Sequence, residues 1–457
     1  MRIYNTLSRS VEQFEPLNTP NVGMYSCGPT VYDYQHIGHM RRYVGDDLLI
    51  RVLKANKFDV HHVMNITDVG HLVSDADSGE DKMEKGARKF GLSVWDIAKK
   101  FETQFKDSCK ALNIALPQDL MHAIGYIPEQ IELIKKLEEK GFSYKTSDGI
   151  YFDTSKLKDY GKLALLQAEN LKAGKRIDMG EKKNKTDFAL WKFSPKNEKR
   201  QQEWESPWGV GFPGWHIECS AMSSKFLGKQ FDIHTGGEDH IPIHHTNEIA
   251  QSEAAFGKKP WVRYWLHNAF LTTGGKKASK SKGGLYTVSE LEELGYKALD
   301  YRYFCLQTHY RKNLEFSLEN LKAAKTAYDG LKNKIKEIDL KTEGISGNKY
   351  EADFKNSIND DLNTAKALQV LIALLKDEKV SGKEKVKALK EMDSVLGLDL
   401  LEKEKIIVPA EIKKLVAERE SARKNKDWKL ADKLRENIEK LGFRVSDSDK
   451  GSVVEIL

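Results

Sequence analysis

The chain has four cysteines in 457 residues, Cys27, Cys109, Cys219 and Cys305, and no two of them form a C-x-x-C pair. Thiols so scattered exclude a disulfide framework and read instead as reduced thiols or metal ligands. No apolar run approaches the ~18 residues of a membrane span. The opening Met1-Arg2-Ile3-Tyr4-Asn5 lacks the apolar core of a signal peptide. A cytoplasmic protein with no membrane partner is therefore expected. There is no internal repeat. What is present is 40% apolar and 31% charged, with a net charge of +6 and a pI of 8.7. That excess suits a polyanionic partner without requiring one. The length predicts two or three domains.

The hydrophobic pattern is α/β. Val22–Ser26 reads as a strand, Met40–Lys54 as a helix and Asp59–Ile66 as the next strand, one βαβ unit. His36-Ile37-Gly38-His39 falls at the turn into the helix, where backbone N–H groups can face a phosphate. Two ordinary, partly buried histidines are the plainer reading of that turn. Thr67 and Asp68, after the second strand, are expected to face the same crevice. A helix is predicted over 128–141, with Pro128 at its start and Gly141 after its end. Residues 142–205 read as an insertion with strands at Phe142–Tyr144 and Gly149–Phe152. Its lysine-rich tract (Lys172, Lys175, Arg176, Lys182, Lys183, Lys185) is either a solvated loop or a surface that follows a phosphate backbone.

Residues 206–310 return to α/β, with a strand at Phe231–His234, a turn over 235–240, a helix at His244–Phe256 and a strand around Trp265–Leu271. The loop 272–284 carries two glycine pairs around lysines and serines and reads as mobile and basic. Beyond residue 311 the pattern is helical. Phe354, Ile358, Leu362, Ala365 and Leu368 form one apolar stripe, and Gly344–Lys349, Ser381–Lys385 and the approach to Pro409 read as linkers. Residues 410–441 predict a helical hairpin, with Asp427 capping its second arm and Gly442 ending it. Arg423, Lys424, Lys426, Lys429 and Lys433 surround Trp428, which serves either to stack on a base or to anchor the hairpin core.

Cys27, Cys219, His244 and Glu248 are candidate metal ligands. His244 and Glu248 stand four residues apart, so a helix aims both at one point. Two sulfurs, a nitrogen and a carboxylate favour Zn²⁺ over hard cations. Spacing leaves His245 open as a replacement for His244.

These residues carry a resemblance. The chain resembles the cysteinyl-tRNA synthetase family of class I aminoacyl-tRNA synthetases over nearly its whole length. His36-Ile37-Gly38-His39 is similar to the class I HIGH signature, and Lys277-Ala278-Ser279-Lys280-Ser281 to the KMSKS loop, with Ala278 in place of Met. Gly214 to Met222 and His244 to Gln251 match blocks more specific to the family. The resemblance implies an α/β fold: a Rossmann-type class I catalytic domain with an insertion, then a helical bundle and a small anticodon-binding domain. On this chain those parts fall at 1–115, 116–205 (the insertion), 206–310, 311–400 and 401–457.

It further implies catalytic roles for His36, His39, Lys277 and Lys280, ATP contacts by His36, Gly38, His39, Asp239 and Lys280, and contacts to substrate cysteine by Thr67 and Trp215. It settles the zinc ligands as Cys27, Cys219, His244 and Glu248, and sets Arg423, Trp428, Asp432 and Asp447 at the anticodon. The implied partners are tRNA(Cys), ATP with Mg²⁺ and L-cysteine, and the chain is expected as a monomer holding one Zn²⁺. The implied chemistry is attack of the cysteine carboxylate on the α-phosphate of ATP, then transfer to the 3′ end of tRNA. Neither step needs a covalent enzyme nucleophile. The zinc would act as a sieve for thiol over hydroxyl, so no editing segment is needed, and none is seen. Four protein ligands and a substrate sulfur make five contacts, which points to Glu248 as the weak ligand.

The chain departs from the family at Val69-Gly70-His71, around Thr235–Asp239, and in its ending, Ser452 to Leu457. The rival readings are a cysteine ligase that joins cysteine to an amino sugar, which shares only the catalytic part, and a non-catalytic tRNA-binding relative.

Overall fold

The computed structural model describes residues 1–70, 81–165, 181–195, 200–277, 285–402, 409–448 and 451–456. The chain divides into two compact units, Met1–Leu400 and Leu401–Leu457.

The first unit is built on a five-stranded sheet: β1 (Asn21–Ser26), β2 (Asp59–Ile66), β3 (Asp119–His122), β4 (Phe231–Gly237) and β5 (Val262–Asn268). Its order is β5-β4-β1-β2-β3, and every pairing is parallel. Such a sheet is covered on both faces, and the near-continuous burial of Met24, Tyr25, Val63, Met64 and Ile233 shows it. The order reverses between β1 and β4, so the crevice beyond their carboxyl ends is where a ligand binds in folds of this kind. The chain leaves β1 at Cys27 and β4 at Gly237, both beside that crevice.

The helix after β1, α1 (Ile37–Ala55), starts a turn earlier than the apolar spacing indicates, because His36 caps it. The His36 and His39 rings each accept the other's backbone N–H at 3.3 Å, a reciprocal capping box built from imidazoles. The helix predicted over 128–141 spans Ile127–Glu139. An antiparallel sheet is formed by Ser143–Lys145, Gly149–Phe152 and Phe188–Phe193 with Gly211–Pro213, a strand beyond the expected insertion. Lys172, Lys175 and Arg176 lie outside the described residues. Lys183 and Lys182 hold their ammonium groups 4.2 and 5.4 Å from the Tyr144 and Tyr151 rings.

Three sequence expectations need correction. The stripe from Phe354 to Leu368 spans two helices, Asn348–Ile358 and Thr364–Lys376, broken where Asp361 and Leu362 take positive φ. Buried Asp361 enforces the break by accepting from Tyr310 Oη and the Tyr4 N–H, both at 2.8 Å. Ser381–Lys385 is not a linker: Ser381 caps the helix Gly382–Leu396. The strand expected around Trp265–Leu271 is two strands, β5 and Leu271–Thr273.

Arg302, on α4 (Ala298–Leu306), ties the helical region to α1. It is fully buried, donates to Asp47 Oδ2 at 2.6 Å, and donates to the carbonyls of Leu112, Asn113 and Leu396.

The second unit is a helical hairpin, Ala410–Lys424 and Trp428–Lys440, followed by an antiparallel β-hairpin, Phe443–Ser448 with Gly451–Ile456. Asp427 accepts the Leu430 N–H at 3.1 Å as the expected cap. The core is Ile412, Ile438 and Val445, with Leu415, Val416, Phe443 and Val454 against it. Trp428 is 56% exposed and outside that core, so it does not anchor the hairpin.

Candidate active site and metal centre

Three elements bring the candidate ligands together. Cys27 follows β1, Cys219 lies on α2 (Trp215–Leu227), and His244 and Glu248 stand one turn apart on α3 (His244–Phe256). One donor atom from each lies within 4.8 Å of the others, and all four residues are buried. Gly28 makes the turn after Cys27 possible: a Cβ there would stand 1.4 Å from the Asn65 carbonyl oxygen. Cys219 Sγ is 3.6 Å from His244 Nε2.

The donor set fits a soft or borderline divalent ion. Glu248 Oε1 is buried, has no well-aligned hydrogen-bond donor, and lies 2.9 Å from His244 Nε2. Burial opposes charge on His244, but Glu248 and Cys27 outweigh it and push the imidazole up to about 10. Burial likewise opposes charge on Glu248, and His234 and His244 hold it down to about 2. Burial pushes the Cys219 thiol up, while Cys219 and the neighbouring histidines hold Cys27 down against burial. A pocket that gathers two sulfurs, an imidazole and a carboxylate in this way is a fit for a divalent cation. A second group, Cys27, His234, His245 and Glu248, meets the same distance criterion.

Buried histidines back the ligands. His234 Nε2 donates to Glu248 Oε2 at 2.9 Å, and His216 Nδ1 lies 2.9 Å from His244 Nδ1. Trp215 stacks on the His244 ring at 4.1 Å. The Thr67 hydroxyl donates to Glu218 Oε2 at 3.1 Å, beside Cys219. Asp68 accepts the Ile124 N–H at 3.1 Å, and burial pushes its carboxyl up to about 7.

A cleft opens next to the cluster, lined by His36, Gly38, His39, Arg42, Asp239 and His240. The His36 and His39 rings stack at 3.5 Å at the N-terminus of α1, where the helix dipole favours an anion. Arg42, one turn into α1, donates to the Cys27 carbonyl and so links this cleft to the metal loop. The Lys277 backbone is in the two-residue strand Lys276–Lys277, paired with Leu271–Thr273. Its side chain, with Ala278 and Lys280, lies outside the described residues, as does the Asp447 side chain. In the second unit, the Arg423 guanidinium sits 5.6 Å from the Trp428 ring, and Asp432 is exposed one turn beyond Trp428.

Sequence reasoning missed His216, Glu218, His234, His240 and His267. Two of these had a readable signal, because His216 and Glu218 flank Cys219 on one helical segment. The others come from separate strands and turns, and only the fold unites them.

The family described as tRNA synthetases class I (C) catalytic domain matches residues 13–326, and the one described as Cysteinyl-tRNA ligase anticodon binding domain matches residues 408–453. A protein named cysteine–tRNA ligase 1 from Burkholderia lata is 48% identical over 454 residues, covering 99% of this chain and 96% of the relative. The chain belongs to the cysteine–tRNA ligase family. Another member, from Treponema denticola, is 44% identical over 98% of each chain. The fold of these ligases extends to a solved methionyl-tRNA synthetase from Mycobacterium tuberculosis, with a TM-score of 0.57 at 13% identity, covering 83% of this chain and 91% of that one. Among the described residues, no helix of this ligase-family chain is long and apolar enough to cross a membrane.

Proposed function

We propose that this chain activates L-cysteine with ATP and transfers it to the 3′ end of tRNA(Cys), and that it uses Zn²⁺ to select the thiol. The observation that carries this reading is the convergence of Cys27, Cys219, His244 and Glu248 beside the cleft that begins at His36. When bound there, zinc supplies an affinity for thiolate sulfur that hydroxyl oxygen does not match.

The chain's own groups do the rest by alignment. His36, Gly38 and His39 receive the triphosphate at the start of α1, and Asp239 faces the nucleotide from the turn after β4. Lys277 and Lys280 close on the phosphates with Mg²⁺ from the basic loop and stabilise the charge that leaves with pyrophosphate. Trp215 walls the side-chain pocket and holds the His244 ring by stacking. Thr67, fixed by Glu218, contacts the cysteine. Arg423, Trp428, Asp432 and Asp447 form the anticodon surface of residues 401–457. The chain works as a cytoplasmic monomer.

Cysteine-dependent ATP–pyrophosphate exchange tests the first step, and charging of tRNA(Cys) tests the second. Exchange without charging, together with ligation of cysteine to an amino sugar, would favour the rival ligase. Exchange absent with every amino acid would leave a binding protein.

A further inference from the structure

Behind the metal centre runs a chain of contacts that the reaction above does not use. Cys27 Sγ lies 3.3 Å from His245 Nε2. His245 Nδ1 lies 2.8 Å from His267 Nε2, and His267 Nδ1 lies 2.8 Å from Thr6 Oγ1. All four residues are at most 4% exposed. The framework fixes each link. His267 is on β5 in register with Gly236, and the Thr6 N–H donates to the Trp265 carbonyl at 2.8 Å.

Both rings are buried, and among the described residues neither is hydrogen-bonded to a carboxylate, Glu248 Oε1 standing 3.9 Å from His245 Nε2; a buried imidazole without such a partner is neutral. A neutral imidazole has one N–H and one bare nitrogen. Two N–H groups cannot face each other, nor two bare nitrogens, so a choice at one end sets the whole row. A metal-ligating cysteine is a thiolate and only accepts. His245 therefore carries its proton on Nε2 and gives it to Cys27. Its bare Nδ1 accepts from His267 Nε2–H, and the bare Nδ1 of His267 accepts the Thr6 hydroxyl proton.

We propose that Thr6, His267 and His245 form a one-way hydrogen-bond relay that fixes the Cys27 thiolate at the metal centre, with His267 and Thr6 as positioning residues. The relay rests on the metal reading given above. It also decides between the two overlapping donor groups: with the His245 Nε2–H spent on sulfur, His245 is not a ligand, and the ion is left to Cys27, Cys219, His244 and Glu248. An N–H bond draws charge from the sulfur, so the thiolate gives less to the ion and leaves it a better acceptor for a further sulfur.

The test uses the full-length protein loaded with Co²⁺ or Zn²⁺, reading chelator-competition affinity and the sulfur-to-cobalt charge-transfer band. His267→Phe weakens metal binding by roughly 10–100-fold, the usual cost of losing such a partner, and moves the band. His267→Gln places an amide N–H where the Nε2–H stood and restores both. Thr6→Val, which swaps a hydroxyl for a methyl at equal size, shifts both in the same direction by less, and Thr6→Ser does not; this pair carries the test should His267→Phe fail to fold. Wild-type affinity and band position in both His267→Phe and Thr6→Val overturn the relay, as does equal loss in His267→Phe and His267→Gln. A wild-type protein that binds no metal overturns the metal reading instead, and the relay with it.

Discussion

Glu248 and His244 hold Oε1 and Nε2 2.9 Å apart, buried and one helical turn from each other. With the sulfurs of Cys27 and Cys219 beside them in the same buried pocket, the two atoms complete a donor set that suits a divalent ion. The purified protein is expected to carry one zinc per chain, with two sulfurs in its X-ray absorption spectrum. Cys219→Ser removes one of them and weakens retention. A single sulfur in the wild type would favour the group built on His234 and His245.

Lys280 is expected to matter for chemistry far more than for binding. Lys280→Ala should slow adenylate formation about a hundred- to a thousandfold, the scale for losing one aligned charge donor, with cysteine affinity near wild type. Single-turnover adenylation and equilibrium binding of cysteine read the two separately. An unchanged exchange rate would remove Lys280 from the mechanism.

Trp428 stands in solvent beside Arg423, not in the hairpin core. Trp428→Ala should weaken tRNA(Cys) by about 1–3 kcal/mol, the worth of one stacked base, seen as a higher KM for tRNA in charging. An equal loss in tRNA-free pyrophosphate exchange would mean that the substitution acts through folding instead.

His62 supplies a pH test of stability. Burial holds its imidazole down to about 3, and its Nε2 meets Ser26 Oγ at 2.9 Å. Between that value and the ordinary 6.5 the unfolded chain binds more protons, so stability is full above 6.5 and falls as pH drops. By pH 5 this one group costs about 2 kcal/mol. His62→Gln should flatten that share of the slope in urea unfolding at pH 7 and pH 5. An unaltered slope would contradict it.

Much of the first unit was legible because α/β alternation sets element type: the sequence reading of Asp59–Ile66 and of His244–Phe256 coincides with β2 and α3. Spacing could not show that the stripe through Leu362 breaks, because the break depends on Asp361 bonding Tyr4 and Tyr310. The closing β-hairpin was hidden because Phe443, Val445 and Val454 make too short an alternation to stand out. At the site, the helix spacing exposed His244 and Glu248. His234 and His267 are histidines in strands, with no sequence neighbour to mark them, and acquire meaning only when β4 and β5 bring them beside α3.

The most direct measurement compares ATP–pyrophosphate exchange with cysteine and with serine, in zinc-loaded protein and in protein stripped by a chelator. Zinc-loaded protein should respond to cysteine and all but ignore serine. Stripped protein should lose cysteine activation and regain it on adding zinc. Stripped protein that still turns over cysteine and still rejects serine would show that the four converging ligands do not choose the amino acid.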